Sequence, residues 1–153
     1  MLTPGDEVPD VELPDQHGTT VRLAELTSEG PVVVFFYPKA MTPGCTKESC
    51  HFRDLAAEFA EVGATRVGVS ADPVERQAAF DQRNDLGYPL LSDVDGLAAA
   101  AFGVARPGPL WNRRATFVID RDGTVLEAMR SEMNMDVHAD RALEVLRSRR
   151  AAD

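Results

Sequence analysis

The stretch PVVVFFYP, residues 31–38, limits the fold more than any other part of the chain. The apolar run Val32–Tyr37 stands between two prolines and is rich in β-branched and aromatic residues. It is far shorter than the roughly 20 apolar residues that span a bilayer. It also lacks the alternation of a strand with one wet face. A run of this kind fits a central strand buried on both faces, which points to a sheet with a parallel core. Parallel neighbours need crossover connections, usually helices.

The flanking sequence supplies them. A helix is expected from Pro43, with Phe52, Leu55, Ala56 and Phe59 at helical spacing and Gly63 as its end. TRVGVSAD, residues 65–72, reads as the second core strand. Asp72-Pro73-Val74-Glu75 then reads as a capped helix start, with Glu75 completing a capping box and the helix running to about Asp85. YPLLSD is a short extended piece, VDGLAAAAFGV holds a short helix, and ARPGPLWN is a loop. RRATFVID and GTVLEAMR are two strands about the Asp122-Gly123 turn, and a last helix is expected from Asp136 to about Arg149. At the start of the chain, DQHGT marks a hairpin turn followed by the short strand TVRL. A βαβ half followed by a ββα half predicts an α/β mixed sheet with helices on both faces, preceded by a β-hairpin extension. That is the thioredoxin-like architecture, in a single domain over residues 1–153.

Charge narrows the function. A formal net charge of −9 argues against a general nucleic-acid or membrane-surface binder, because both need a basic face. The basic cluster near the C-terminus suits the end of a helix. MLTPGDEVPD is acidic and lacks a basic-then-apolar signal region, so a cytoplasmic protein is expected. In that compartment thiols stay reduced, which argues against a structural disulfide between Cys45 and Cys50. His17, His51 and His138 are scattered, and no zinc-site spacing is present. No metal or other cofactor is expected.

Thr42-Pro43 fits the cap and first position of the first crossover helix, which puts Cys45 in its first turn. The free N–H groups and dipole of a helix N-terminus favour an anion, and so favour a thiolate over a thiol. This turn also follows the C-terminal end of the central strand, where open α/β sheets bind ligands. Cys45 reads as a reactive thiolate, against the alternative of a small buried hydrophobe.

Cys50 is five residues further on. In a helix that is about 7.5 Å along the axis and about 140° around it, with Cα atoms roughly 8.6 Å apart. A disulfide needs less than about 7 Å. Either Cys50 is an unrelated helical residue, or the first turns unwind to let the sulfurs meet. TPGCTKES suits unwinding, since Thr, Pro, Gly and Ser are poor helix-interior residues. A nearby thiol would condense with a sulfenic acid and prevent irreversible over-oxidation.

PKAMTPGC contains P-x-x-x-T-x-x-C at Pro38, Thr42 and Cys45 and resembles the peroxiredoxin active-site motif. TPGCTKESCHFRD is similar to the bacterioferritin-comigratory, or Q-type, subfamily. VGVSADPVERQAAF, YPLLSDVDG, AAFGV and RRATFVIDRDGTV resemble its later blocks in the same order. The resemblance implies a thiol peroxidase that reduces hydrogen peroxide and organic hydroperoxides. Cys45 would be the peroxidatic nucleophile and Cys50 the resolving cysteine. Thr42 would offer its hydroxyl to substrate and thiolate, Pro38 would shield the pocket, and Arg114 would stabilise the thiolate and the leaving oxygen. Thioredoxin or a similar dithiol protein would reset the disulfide. An intramolecular pair needs no second chain, so a monomer is expected.

Strand alternation separates the two candidate arginines: Arg114, Thr116 and Val118 share one face, and Arg113, Ala115 and Phe117 the other. Ala40 and Met41 stand where the family often carries acidic or polar residues. Met41 fits either a preference for bulkier apolar hydroperoxides or local packing. Trp111 reads as a packing anchor of its loop or as a pocket neighbour, and Met129, Met133 and Met135 read as packing residues rather than a copper site. Two other readings make distinct demands. A thioredoxin-type thiol–disulfide oxidoreductase wants C-x-x-C, where this chain has C-x4-C. A redox-sensing interaction protein would bind a partner in one redox state.

Overall fold

A computed structural model describes residues 1–106 and 112–152. In chain order its elements are β1 (Glu12–Pro14), β2 (Thr20–Arg22), α1 (Leu23–Glu29), β3 (Val32–Phe36) and α2 (Pro43–Asp54). There follow α3 (Ala56–Glu61), β4 (Thr65–Ser70), α4 (Val74–Asn84), β5 (Leu90–Ser92) and α5 (Leu97–Phe102). The chain ends with β6 (Ala115–Ile119), β7 (Val125–Arg130) and α6 (Asp136–Ala152). Five strands form one sheet in the order β5-β4-β3-β6-β7, while β1 and β2 form a separate hairpin. The β3–β4 and β4–β5 pairs are parallel, and β6 and β7 run antiparallel. This is the mixed sheet flanked by helices of the thioredoxin-like fold.

The central apolar run is β3, and it is buried on both faces. Val33, Phe35 and Tyr37 enter one core layer with Cys45, Phe52, Phe59 and Phe80. Val32, Val34 and Phe36 enter the other with Leu23, Phe102 and Phe117. Phe52 anchors α2 to the sheet by stacking on Phe35, with ring centroids 4.2 Å apart and planes 7° from parallel.

Three local expectations need correction. Leu23 does not end a strand but opens α1, because Leu23 and Thr27, one helical turn apart, bury the same face. The helix after Pro43 does not run unbroken to Gly63 but divides at Leu55. At that break Arg66 Nη1 donates to the Phe52 carbonyl at 2.7 Å. Asp72 does not cap α4: Pro73 holds the cap position, with no side-chain hydrogen bond. The Asp72 carboxylate serves the loop after β3 instead.

Candidate active site

The C-terminal end of β3 leads into a tight loop and then into α2. Thr42 is extended and Pro43 begins the helix, which puts Cys45 in the first turn. The Thr42 hydroxyl does not cap: it donates to the Lys39 carbonyl at 2.7 Å. Pro38 is half-buried just beyond the end of β3. The Cys45 side chain is fully buried.

Arg114 lies just before β6, the antiparallel neighbour of β3. Its Nη2 donates to Cys45 Sγ at 3.4 Å, and its Nη1 donates to Glu48 Oε1 at 2.8 Å. Gly44 makes room for this: a Cβ there would stand 3.3 Å from Arg114 Nη2 and 3.6 Å from the end of Met135. The Arg114 backbone N–H is held by Glu132 Oε1 at 3.0 Å. Arg113 spends its own N–H on the Val104 carbonyl. The guanidinium thus brings a fixed positive charge and planar donors to a buried sulfur. Fixed donors of this kind suit negative charge developing on a departing oxygen.

Glu48 sits one turn after Cys45 and shares its face, a spacing that is the one signal of its role in the sequence. Burial pushes its carboxyl up to about 8, against the opposing pull of Arg114. Its second oxygen lies 3.6 Å from His138 Nδ1. His138 is buried, and burial pushes it below its ordinary value, against the hydrogen bond to Ser131. Its ring nitrogens find Thr116 Oγ1 at 2.7 Å and the Ser131 carbonyl at 2.9 Å. A neutral ring that donates to Ser131 and accepts from Thr116 satisfies both contacts. Only tertiary structure brings His138 to this site, and its position in the sequence gave no signal.

Cys50 occupies a different side of α2. It is half-buried, and its thiol faces Asn84 Oδ1 at 3.7 Å. Both cysteines are free. A small cleft of about 140 Å³ lies beside Asn84, between Met41, Thr46 and Arg83. A larger one of about 420 Å³, against Pro31, Asp120 and Arg149, opens at the other end of the sheet, away from the cysteines.

The loop between Pro38 and Thr42 is held from β4 and α4. Asp72 Oδ2 accepts from the Ala40 N–H at 2.7 Å and from the Ser70 hydroxyl at 2.6 Å. Arg76 Nη2 donates to the Ala40 carbonyl at 3.1 Å, and its Nε pairs with Asp72 Oδ1 at 3.1 Å. Between these restraints Met41 takes φ 70°, uncommon for a residue with a side chain. Trp111 lies outside the described residues. Among the described residues, no helix is long and apolar enough to cross a membrane.

The AhpC/TSA family model matches residues 4–128. A putative peroxiredoxin of Mycobacterium tuberculosis is 61% identical over 150 residues, covering 96% of this chain and 97% of its own. The crystal structure of peroxidoxin BcpB from Mycobacterium tuberculosis superposes with a TM-score of 0.94 at 58% identity, covering 97% of this chain and 98% of its own. A bacterioferritin comigratory protein structure from Xanthomonas campestris, described with its alkyl peroxide reduction activity, has a TM-score of 0.84 at 32% identity, covering 91% of each chain.

Proposed function

The chain belongs to the AhpC/TSA family and is a peroxiredoxin, a thiol peroxidase, and from that premise we propose a full cycle for it. The observation that carries the reading is the Arg114 donor on the buried sulfur of Cys45 in the first turn of α2.

The substrates are hydrogen peroxide and organic hydroperoxides. The Cys45 thiolate attacks the terminal peroxide oxygen. The S–O bond forms as the O–O bond breaks, so sulfur loses two electrons and the peroxide gains them. The departing oxygen takes a proton and leaves as water or an alcohol, and Cys45 becomes a sulfenic acid. Arg114 stabilises both the thiolate and the leaving oxygen. Pro38 shields the sulfur, and the Thr42 hydroxyl turns from the Lys39 carbonyl to the peroxide. The Cys50 thiol then attacks the sulfenic sulfur, water leaves, and a Cys45–Cys50 disulfide forms. Thioredoxin or a similar dithiol protein supplies two electrons to reset it, which makes this an atypical two-cysteine enzyme.

Both cysteines lie on one helix, which supports a cycle completed within one domain of one chain. A cytoplasmic monomer fits that reading.

Intact mass before and after one equivalent of peroxide tests it. Loss of two hydrogens, with a peptide linking positions 45 and 50, is the expected result. Cys45→Ser abolishes turnover; turnover at the normal rate in that variant refutes the nucleophile assignment.

A further inference from the structure

For the sulfurs to meet, the backbone between Cys45 and Cys50 must leave the helix. Any contact made only while those residues are helical therefore opposes the meeting. The Ser49 carbonyl lies inside that segment, and it carries a contact from outside the helix: the Tyr88 hydroxyl donates to it at 2.7 Å, in a buried position. Burial pushes the Tyr88 phenol up, so it remains a donor.

Tyr88 is itself braced. Gln16 Nε2 donates to the Tyr88 carbonyl at 2.9 Å, and Gln16 Oε1 accepts from the Leu90 N–H at 2.9 Å. The Arg66 guanidinium stands 5.0 Å from the centre of the Tyr88 ring and also donates to the Phe52 carbonyl at the end of α2. One side-chain pair from outside α2 thus pins carbonyls at Ser49 and Phe52, on either side of Cys50. Neither residue contacts Cys45 or Arg114 through any of these bonds.

Resting on the cycle proposed above, we propose that Tyr88, braced by Gln16 and Arg66, is a positioning residue that brakes the unwinding of α2. It thereby sets how long oxidised Cys45 waits for Cys50. During that wait a second peroxide competes. Its terminal oxygen is transferred to the sulfenic sulfur, giving a sulfinic acid and one more molecule of water or alcohol. A stronger brake therefore means easier over-oxidation, and a weaker one means faster resolution.

The test is a peroxide pulse on wild type and on Tyr88→Phe, which deletes one oxygen. Consumption of the first peroxide, disulfide formation and sulfinic acid yield are followed separately. With the first step as internal reference, disulfide formation in Tyr88→Phe is faster by roughly 2- to 10-fold, the worth of one hydrogen bond. The ratio of sulfinic acid to disulfide at a fixed peroxide concentration falls in proportion. Arg66→Met shifts both in the same direction. Val67→Ala, which loosens the other core layer, lowers overall stability without changing the partition. An unchanged or slower disulfide step in Tyr88→Phe overturns the brake, and so does an equal shift in Val67→Ala. Wild type that forms no Cys45–Cys50 bond overturns the proposed cycle and the brake with it.

Discussion

Arg114 reaches Cys45 from just before β6, the strand beside the one that leads into α2, its Nη2 standing 3.4 Å from the sulfur. The same fork holds Glu48 Oε1 with its other terminal nitrogen. The guanidinium is thus held from behind by the Glu48 carboxyl group and aimed in front at the Cys45 sulfur. A point charge can mimic the charge of this group but not its two simultaneous, coplanar contacts.

Arg114→Lys is expected to lower the rate of the first peroxide-consuming step by roughly 100-fold, as for loss of one oriented donor. Lysine is the better probe than alanine because it leaves a cation beside buried Glu48. Stopped-flow consumption of hydrogen peroxide checks it, with circular dichroism to show that the fold persists. A rate close to wild type removes Arg114 from the chemistry.

Cys50→Ser is expected to consume about one peroxide per chain and then stall with thioredoxin, because the sulfenic acid lacks its partner thiol. Excess peroxide then drives Cys45 to the sulfinic acid, which mass spectrometry reads directly. Wild-type cycling by this variant with thioredoxin would exclude a resolving role.

Much of this arrangement is written locally. The apolar run of β3, the Thr42-Pro43 helix start and the Asp122-Gly123 turn each depend on neighbouring residues, and each falls where local rules put it. Alternation sets Arg114 on the face of Thr116 and Val118, opposite Arg113, and the family resemblance points to Arg114 as the one at the pocket. What stayed hidden depends on contacts across the fold. Asp72 looked like a helix cap because its sequence context is that of one, but the Ala40 amide and Ser70 hydroxyl claim its carboxylate. The break at Leu55 coincides with Arg66 reaching the Phe52 carbonyl from β4. His138 joins Glu48 only because α6 packs against α2 and β6.

Glu48 gives the stability a predictable slope with pH. Burial raises its carboxyl from 4.5 to about 8, so the folded chain binds that proton more tightly than the unfolded chain. Its contribution is complete below pH 4.5 and is lost as pH rises to about 8. His138 is shifted the other way, so its contribution is complete above pH 6.5 and lost as pH falls. Of the two, Glu48 alone acts between pH 6.5 and 8. Glu48→Gln keeps an acceptor for Arg114 but carries no proton to lose, and it should flatten the decline across that window. Urea unfolding at several pH values checks this, and an equal slope in both proteins counts against it.

The loop that carries Met41 into α2 depends on one carboxylate. Asp72 Oδ2 is the acceptor for both the Ala40 N–H and the Ser70 hydroxyl, and all three residues are buried. Asp72→Ala leaves those donors without a partner and costs about 1–3 kcal/mol of stability. Arg76 then loses its ion partner beside the Ala40 carbonyl, so both ends of the Ala40 unit loosen. Met41 holds φ 70° only while its neighbours are restrained, and it relaxes when they are not. Asp72→Asn retains one oxygen for the same two donors and loses mainly the half-exposed contact with Arg76. Peroxide consumption should therefore fall in the order wild type, Asp72→Asn, Asp72→Ala, with the loss in kcat/KM exceeding any change in the rate of the proposed reductive step with thioredoxin. If Asp72→Asn and Asp72→Ala lose activity equally, the Arg76 ion pair, and not the hold on Ala40, is what the loop requires.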